Sequence, residues 1–372
     1  MPDTKLTVCL VVALLLRLAF VFVGFPILEQ RWQLREDGDG YGLIAQSIRD
    51  GHYNDVTRGP AYPFFVVAAG SPLAVKTLQA LLDTATCLLI FWLAGRNVWA
   101  GWLWAIYPFA VWRVAFINKE VVLSFLLVSY LCRQVIAMRG GKPWQWLVAG
   151  ALLGVVNLCK PTFLLWPLLL FVLAPRRAAL VLVAMLLVIA PWTIRNWRLT
   201  DGEFLPVATE RGGVTAFIGN YQPTLGLWEG EGKLRWLAAV DEISAQNGGA
   251  SVVQLDRTFY GAALQQVRSN PLKAAELFVR KFGRFWFLSA KRREQTASIV
   301  IQAGYLALLG IALWRARPWS PEVALILALI AYVMLVHALS YADLRFSLPV
   351  MPFVCVIAAR TFATPSAATR TS

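Results

Sequence analysis

The chain has 372 residues, of which 58% are hydrophobic and only 15% charged, with 16 Trp. That balance excludes an ordinary soluble domain and indicates a helical protein that crosses a membrane many times. The net charge of +14 lies largely in short connections and at the ends of apolar runs; there it sets orientation and holds lipid headgroups, so membrane lipids are expected partners, and with no nucleic-acid module beside it nucleic acid is not.

In chain order, ten apolar runs read as membrane segments: 6–25, 72–94, 98–116, 121–136, 144–158, 161–173, 178–194, 298–314, 321–339 and 346–362. The fold class expected is all-α and polytopic, with about ten transmembrane helices. The first run lacks a small-residue cleavage site and reads as a retained helix. A first outer loop of amphipathic helices follows at 26–71, and a large outer loop at 195–297 separates the seventh and eighth segments. The chain thus divides into an N-terminal membrane module (1–194), an extracytoplasmic region (195–297) and a C-terminal membrane module (298–372).

Lys5, Arg96, Arg133, Arg139, Lys142, Arg176, Arg177, Arg315, Arg317, Arg360 and Arg370 all fall on one side of this alternation. The positive-inside rule makes that side cytoplasmic, with both termini inside, and the expected location is a bacterial inner (plasma) membrane. The five cysteines lie within or at the ends of apolar runs and read as small buried apolar residues, not as a disulfide framework. In the large loop, the stretch 271–293 places Leu272, Ala275, Leu277, Phe278, Phe282, Phe285 and Trp286 on an apolar face. Lys273, Arg280, Lys281 and Arg284 lie on or beside the other, which predicts a helix on the membrane surface.

Residues able to carry chemistry gather at the outer helix ends. In Asp37-Gly-Asp39-Gly-Tyr41 the glycines allow a tight turn that brings two carboxylates close to a ligand. A calcium loop is excluded, because the twelfth position from Asp37 is Ile48, where a bidentate acid is needed. Arg58, Lys119, Lys160, Arg195 and Arg345 stand at outer helix ends. Each alone reads as an interfacial snorkeller; together, on the side opposite the basic turns, they suit the oxygens of a phosphate. Glu120 can position an acceptor or a metal ion, or can simply pair with Lys119 or cap its helix. Two histidines, His52 and His337, do not make a histidine-based zinc site. The residues single out no cofactor, and a divalent cation on carboxylates is left open. Arg17 and Asp83 lie inside the first two segments and are expected to pair.

The order of these pieces resembles the GT-C glycosyltransferases, most closely the bacterial branch related to dolichyl-phosphate-mannose protein mannosyltransferases and lipid A aminoarabinose transferases. The pieces are the acids before Tyr41, the turn Arg58-Gly-Pro-Ala-Tyr62-Pro, Lys119-Glu120, Lys160-Pro-Thr, Pro191-Trp-Thr-Ile-Arg195-Asn, Gly219-Asn220 with Gly226, and Arg345-Phe-Ser-Leu-Pro. The resemblance implies an enzyme that moves a sugar from a polyprenyl-phosphate carrier to a protein, lipid or polysaccharide outside the membrane. It implies that an acid of the first outer loop is the general base. Asp37 matches by its spacing before the tyrosine, Asp39 is the other candidate, and Gly38 stands where the mannosyltransferase branch carries an acid. Arg58, Tyr62, Lys119, Glu120, Lys160, Arg195 and Arg345 are then the substrate-binding residues. One base and direct displacement invert the anomeric carbon, without the two-carboxylate apparatus of glycoside hydrolysis. The competing functions are a lipid-linked oligosaccharide polymerase, a lipid or solute transporter of the envelope, and an inactive binding or scaffold subunit.

Overall fold

The computed structural model describes residues 4–173, 175–224, 231–288, 295–315 and 318–362. Gly226, Arg317, Arg370 and residues 289–293 lie outside them. The described residues form helices and turns, with no strand among them. α1 runs over Thr4–Trp32 through a π-helical turn at Phe20–Gly24. In the first outer loop, α2 is Tyr41–Arg49 and α3 is Ala61–Ala69. Then come α4 (Pro72–Leu93), α5 (Val98–Ala105), α6 (Pro108–Arg113), α7 (Glu120–Gly140), α8 (Pro143–Cys159), α9 (Trp166–Leu173) and α10 (Pro175–Leu199). The large loop carries α11 (Gly212–Asn220), α12 (Glu231–Gln246), α13 (Val252–Ser269) and α14 (Pro271–Phe287). The chain ends with α15 (Gln295–Arg315), α16 (Pro321–Leu339) and α17 (Met351–Ala358).

Seven of these stretches are long and apolar enough to cross a membrane: α1, α4, α7, α10, α15, α16 and Leu344–Phe362 around α17. The other three predicted segments differ. The stretches Pro143–Cys159 and Pro161–Val172 are apolar but shorter. The run 98–116 is broken into α5 and α6, because Pro108 supplies no N–H and holds the residue before it, Tyr107, extended. The break leaves the Ala105 carbonyl without a backbone donor and the Trp104 carbonyl with the Tyr107 N–H, at 3.2 Å. The Arg17 guanidinium donates to both, at 3.2 and 3.0 Å, while its Nε meets Asp83 at 2.5 Å. The pairing of Arg17 with Asp83 expected from the sequence is present, and it also closes the end of a helix.

Helix starts follow local chemistry. Ser71 accepts from the Ala74 N–H ahead of Pro72, and Ser320 from the Val323 N–H ahead of Pro321. α8 and α10 approach closely because Gly150 and Gly154 carry no side chains. A Cβ on Gly150 would stand 2.4 Å from the Val181 carbonyl oxygen, and one on Gly154 2.6 Å from the Val188 Cβ.

The large loop folds onto the membrane helices. Ala216, Phe217, Ile218, Trp236, Phe259 and Ala263 form a small core of its own. Its start docks on the first outer loop, where Thr209 N–H donates to Val56 O at 3.1 Å and Glu210 N–H to Thr57 O at 2.9 Å. α14 follows the expected apolar pattern at Leu277 and Phe285, which are buried, and departs from it at Lys281. Its buried face is Leu277, Lys281 and Phe285, one residue per turn, packed toward α15 and α16, while Leu272 is 85% exposed. Lys281 therefore sits inside, donating to Asn220 Oδ1 at 2.8 Å. Burial is the main force that pushes its ammonium down to about 7, with Arg284 adding repulsion.

Candidate functional site

The two aspartates of the first outer loop have different jobs. Gly40, at φ 76°, turns the chain into α2. That turn brings both Asp37 oxygens onto the start of the helix, where Oδ1 accepts from Tyr41 N–H at 2.9 Å and Oδ2 from Gly42 N–H at 2.6 Å. Asp37 thus satisfies backbone donors that have no helical partner. Asp39 points elsewhere, with Oδ1 lying 3.6 Å from Arg345 Nη1. Burial alone works to raise the pKa of Asp39, but the charges of Arg345, Arg58, Lys119 and Arg113 outweigh it and hold the carboxyl below its usual range.

A second carboxylate completes the cluster. Glu210, which the sequence reading did not single out, pairs with Lys119, lies 3.9 Å from Arg58 Nη1, and accepts from Gly59 N–H at 2.9 Å. Burial opposes its ionisation, and Lys119, Arg58 and the Gly59 N–H together reverse that, so it also titrates low. Gly59 is needed for the approach, since a Cβ there would meet the carbonyl oxygens of Leu158 and Cys159 at 2.5 and 2.9 Å. This contact brings the Arg58 turn against the end of α8, beside Lys160.

Lys160 is held by aromatic and imidazole partners. Its Nζ lies 4.4 Å from the Phe346 ring centroid and 3.5 Å from His337 Nε2. A carbonyl can only accept, so the 3.2 Å contact of His337 Nδ1 with Tyr341 O is a donation from Nδ1–H. Nε2 is then free to accept from the lysine. Burial first, and then Lys119 and Arg345, push the Lys160 ammonium down to about 8 against the opposing pull of Glu120 and Glu210. Glu120 opens α7 with one carboxylate oxygen, Oε2, buried and without a hydrogen-bond partner.

Beside Arg345 lies a small open cleft lined by Tyr107, Phe109, Trp112, Arg113, Leu344, Arg345 and Leu348. It exists because the α5–α6 break swings Arg113 to face the start of the last membrane stretch. Arg113 was hidden in the sequence inside an apolar run; Pro108, five residues before it, was the signal for the break.

The structure therefore brings together Asp39, Arg58, Lys119, Glu120, Lys160 and Arg345 of the predicted set, and adds Glu210, Arg113 and His337. It does not bring in three others. Asp37 stands at the start of α2. Tyr62 is fully buried beneath the site, donating to Gln79 Oε1 at 2.8 Å and meeting the Tyr41 ring edge-on. Arg195 stacks on Tyr53 and Trp192 at 4.5 and 4.2 Å and donates to the carbonyls of Tyr53 and Asp55, clamping the first outer loop to α10. Among the described residues no three His, Cys, Asp or Glu side chains gather in a way that could hold a metal ion.

Such a site can hold an anion between four cations while an ionised carboxylate stays within reach of the same space. The cations come from the first outer loop, the starts of α7 and of the last membrane stretch, and the end of α8. Fold and site define a helical, polytopic membrane protein with a charged pocket at one end of its helices. No family model, curated protein or solved structure matches this chain.

The state of Lys160 gives a prediction. An anion held here would bind the ammonium form, so its affinity is expected to be full well below pH 8 and to fall as pH rises through about 8, where burial and neighbouring cations place this lysine. As pH rises further the ammonium is lost and affinity falls, by up to about tenfold per unit. In the Lys160→Arg variant the fall moves to much higher pH, because guanidinium keeps its charge. Titration of farnesyl phosphate binding between about pH 7 and 9.5 checks both statements; an identical alkaline fall in the two proteins contradicts them.

Proposed function

We propose that this chain is an integral-membrane glycosyltransferase. It moves a sugar from a polyprenyl-phosphate donor to an acceptor on the extracytoplasmic side, with Asp39 as general base and inversion at the anomeric carbon. The observation that carries the reading is the meeting of Asp39 with Arg58, Lys119 and Arg345, which come from three distant parts of the chain. The GT-C-like order of motifs agrees with it. The working topology is about ten crossings, counting α8, the stretch after Lys160 and the broken α5–α6 pair, with both termini in the cytoplasm of a bacterial cell.

The chemistry follows from the residues. Arg58, Lys119, Lys160 and Arg345 grip the donor's phosphate, and the adjoining end of the carrier lies along the aromatic cleft beside Arg345. The acceptor hydroxyl attacks the anomeric carbon as its proton passes to an Asp39 oxygen. The bond from that carbon to the phosphate oxygen breaks, and polyprenyl phosphate leaves as an anion that needs no protonation. The cations stabilise the charge that grows on the leaving oxygen. Glu120, with a free carboxylate oxygen, suits the role of orienting the acceptor.

The test is product formation. Purified protein in lipid nanodiscs, given a polyprenyl-phosphate sugar with a labelled sugar, is expected to release polyprenyl phosphate and glycosylate an envelope extract. Passage of intact donor across sealed vesicles, with no cleavage, overturns the enzyme reading in favour of a transporter. Growth of a lipid-linked chain would point to a polymerase.

A further inference from the structure

The Glu210 carboxylate is bound as a ligand would be. One oxygen takes a backbone N–H from Gly59, and the other meets the Lys119 ammonium and faces the Arg58 guanidinium. A backbone amide, a lysine and an arginine around two oxygens make the kind of seat that receives a phosphate oxyanion. The backbone that delivers the carboxylate is strained. Glu210 and Arg211 are consecutive non-glycine residues in the left-handed region, at φ 53° and 51°. The corner is tied to the first outer loop by the hydrogen bonds to Val56 O and Thr57 O; within it, Gly212 N–H donates to Thr209 O at 2.8 Å, Arg211 N–H to Thr209 Oγ1 at 3.3 Å and Thr215 N–H to Arg211 O at 2.9 Å.

We propose that Glu210 is an internal stand-in for the phosphate of an anionic ligand. It fills the Arg58–Lys119–Gly59 seat when the ligand is absent and is displaced, together with the 209–211 corner, when the ligand's phosphate enters. This rests on the reading of the cluster as a phosphate site and adds a competition within it. The stand-in keeps Lys119, which is 7% exposed, neutralised while the seat is empty. It also sets a threshold: an anion must outcompete a carboxylate tethered in place, so weakly held anions are turned away.

The competing view, that Glu210 is a strut orienting Lys119 and Arg58, predicts changes of the opposite sign. Farnesyl phosphate is the probe, titrated calorimetrically into the full-length protein in a non-ionic detergent. Glu210→Gln keeps the size of the side chain and can still accept from Gly59, but it gives up the charge. It is expected to bind the probe roughly five- to tenfold tighter than the wild type, in the range of ordinary coupling between sites. Weaker or unchanged binding in the variant, with the wild type binding normally, overturns the stand-in role and leaves the phosphate site intact. Absence of binding in both proteins overturns the phosphate site itself, and the stand-in with it. If Glu210→Gln does not fold, hydrogen exchange in the wild type decides. Saturating probe is expected to speed exchange at the Thr209 and Glu210 amides by releasing them from Val56 and Thr57, and slowed or unchanged exchange there overturns the proposal.

Discussion

Asp39→Asn is expected to lower turnover about 10²- to 10⁴-fold, the contribution of a positioned proton acceptor, while keeping or tightening the hold on the donor. The expected split between kcat and KM follows from where the carboxylate lies. Asp39 partly neutralises Arg345, 3.6 Å away, so an amide in its place frees that guanidinium for phosphate. Because its cation neighbours hold the carboxyl below the usual range, the carboxylate is ionised throughout the neutral region. An acidic limb of the rate profile assigned to it must then fall below the ordinary titration of an aspartate. Asp37→Asn should behave differently. Its two oxygens are spent on the amides of Tyr41 and Gly42, so its loss weakens the start of α2 by about 1 kcal/mol and lowers activity modestly through position. Turnover of a labelled polyprenyl-phosphate sugar, with thermal unfolding of both variants alongside, separates the two. Full activity in Asp39→Asn with an inactive but folded Asp37→Asn would reverse the assignment.

The contrast between these aspartates shows what the sequence could and could not reveal. Lys119, Lys160 and Arg345 were legible because a charge interrupts an apolar run at its end, and the alternation of connections put those ends on one side. The membrane class was legible for the same reason: hydrophobic length is a local property. Which carboxylate of Asp37-Gly-Asp39 faces the cations was not legible. It depends on a left-handed Gly40 that rolls one side chain onto the helix and sends the other outward. Spacing relative to Tyr41 carries no information about that roll.

Glu210 was invisible because its partners, Gly59 and Lys119, are 151 and 91 residues away, and nothing around it marks it as functional. Arg195 stood at a helix end like the true cluster members, yet the rings of Tyr53 and Trp192 took it for structure. Lys281 misled the amphipathic reading of α14. A helical pattern assigns lysine to solvent by type, whereas Asn220 offers it a buried acceptor. The break between α5 and α6 was announced by Pro108, but an apolar window averages over a single proline.

That break ties the stability of the membrane core to the site. Asp83→Leu is expected to destabilise the protein by about 3–5 kcal/mol, because it leaves the Arg17 guanidinium buried without its counter-charge. Both side chains are almost fully inaccessible, at 0% and 1%. The double replacement Arg17→Met with Asp83→Leu removes the unpaired charge and should recover part of the loss. Full recovery is not expected here, since Arg17 also donates to the carbonyls of Ala13, Trp104 and Ala105. Trp104 and Ala105 close α5, where Pro108 prevents the helix from continuing. Without the guanidinium the Ala105 oxygen is buried and unmet, at about 1–3 kcal/mol, while the Trp104 oxygen keeps the Tyr107 N–H at 3.2 Å. The consequence should reach the cleft, because the α5–α6 hinge is what aims Arg113 at Arg345. Urea or thermal unfolding of the single and double variants measures the first effect, and farnesyl phosphate affinity of the folded double variant measures the second. A double variant as stable as the wild type, with unchanged affinity, would show that Arg17 serves Asp83 alone and that the hinge holds without it.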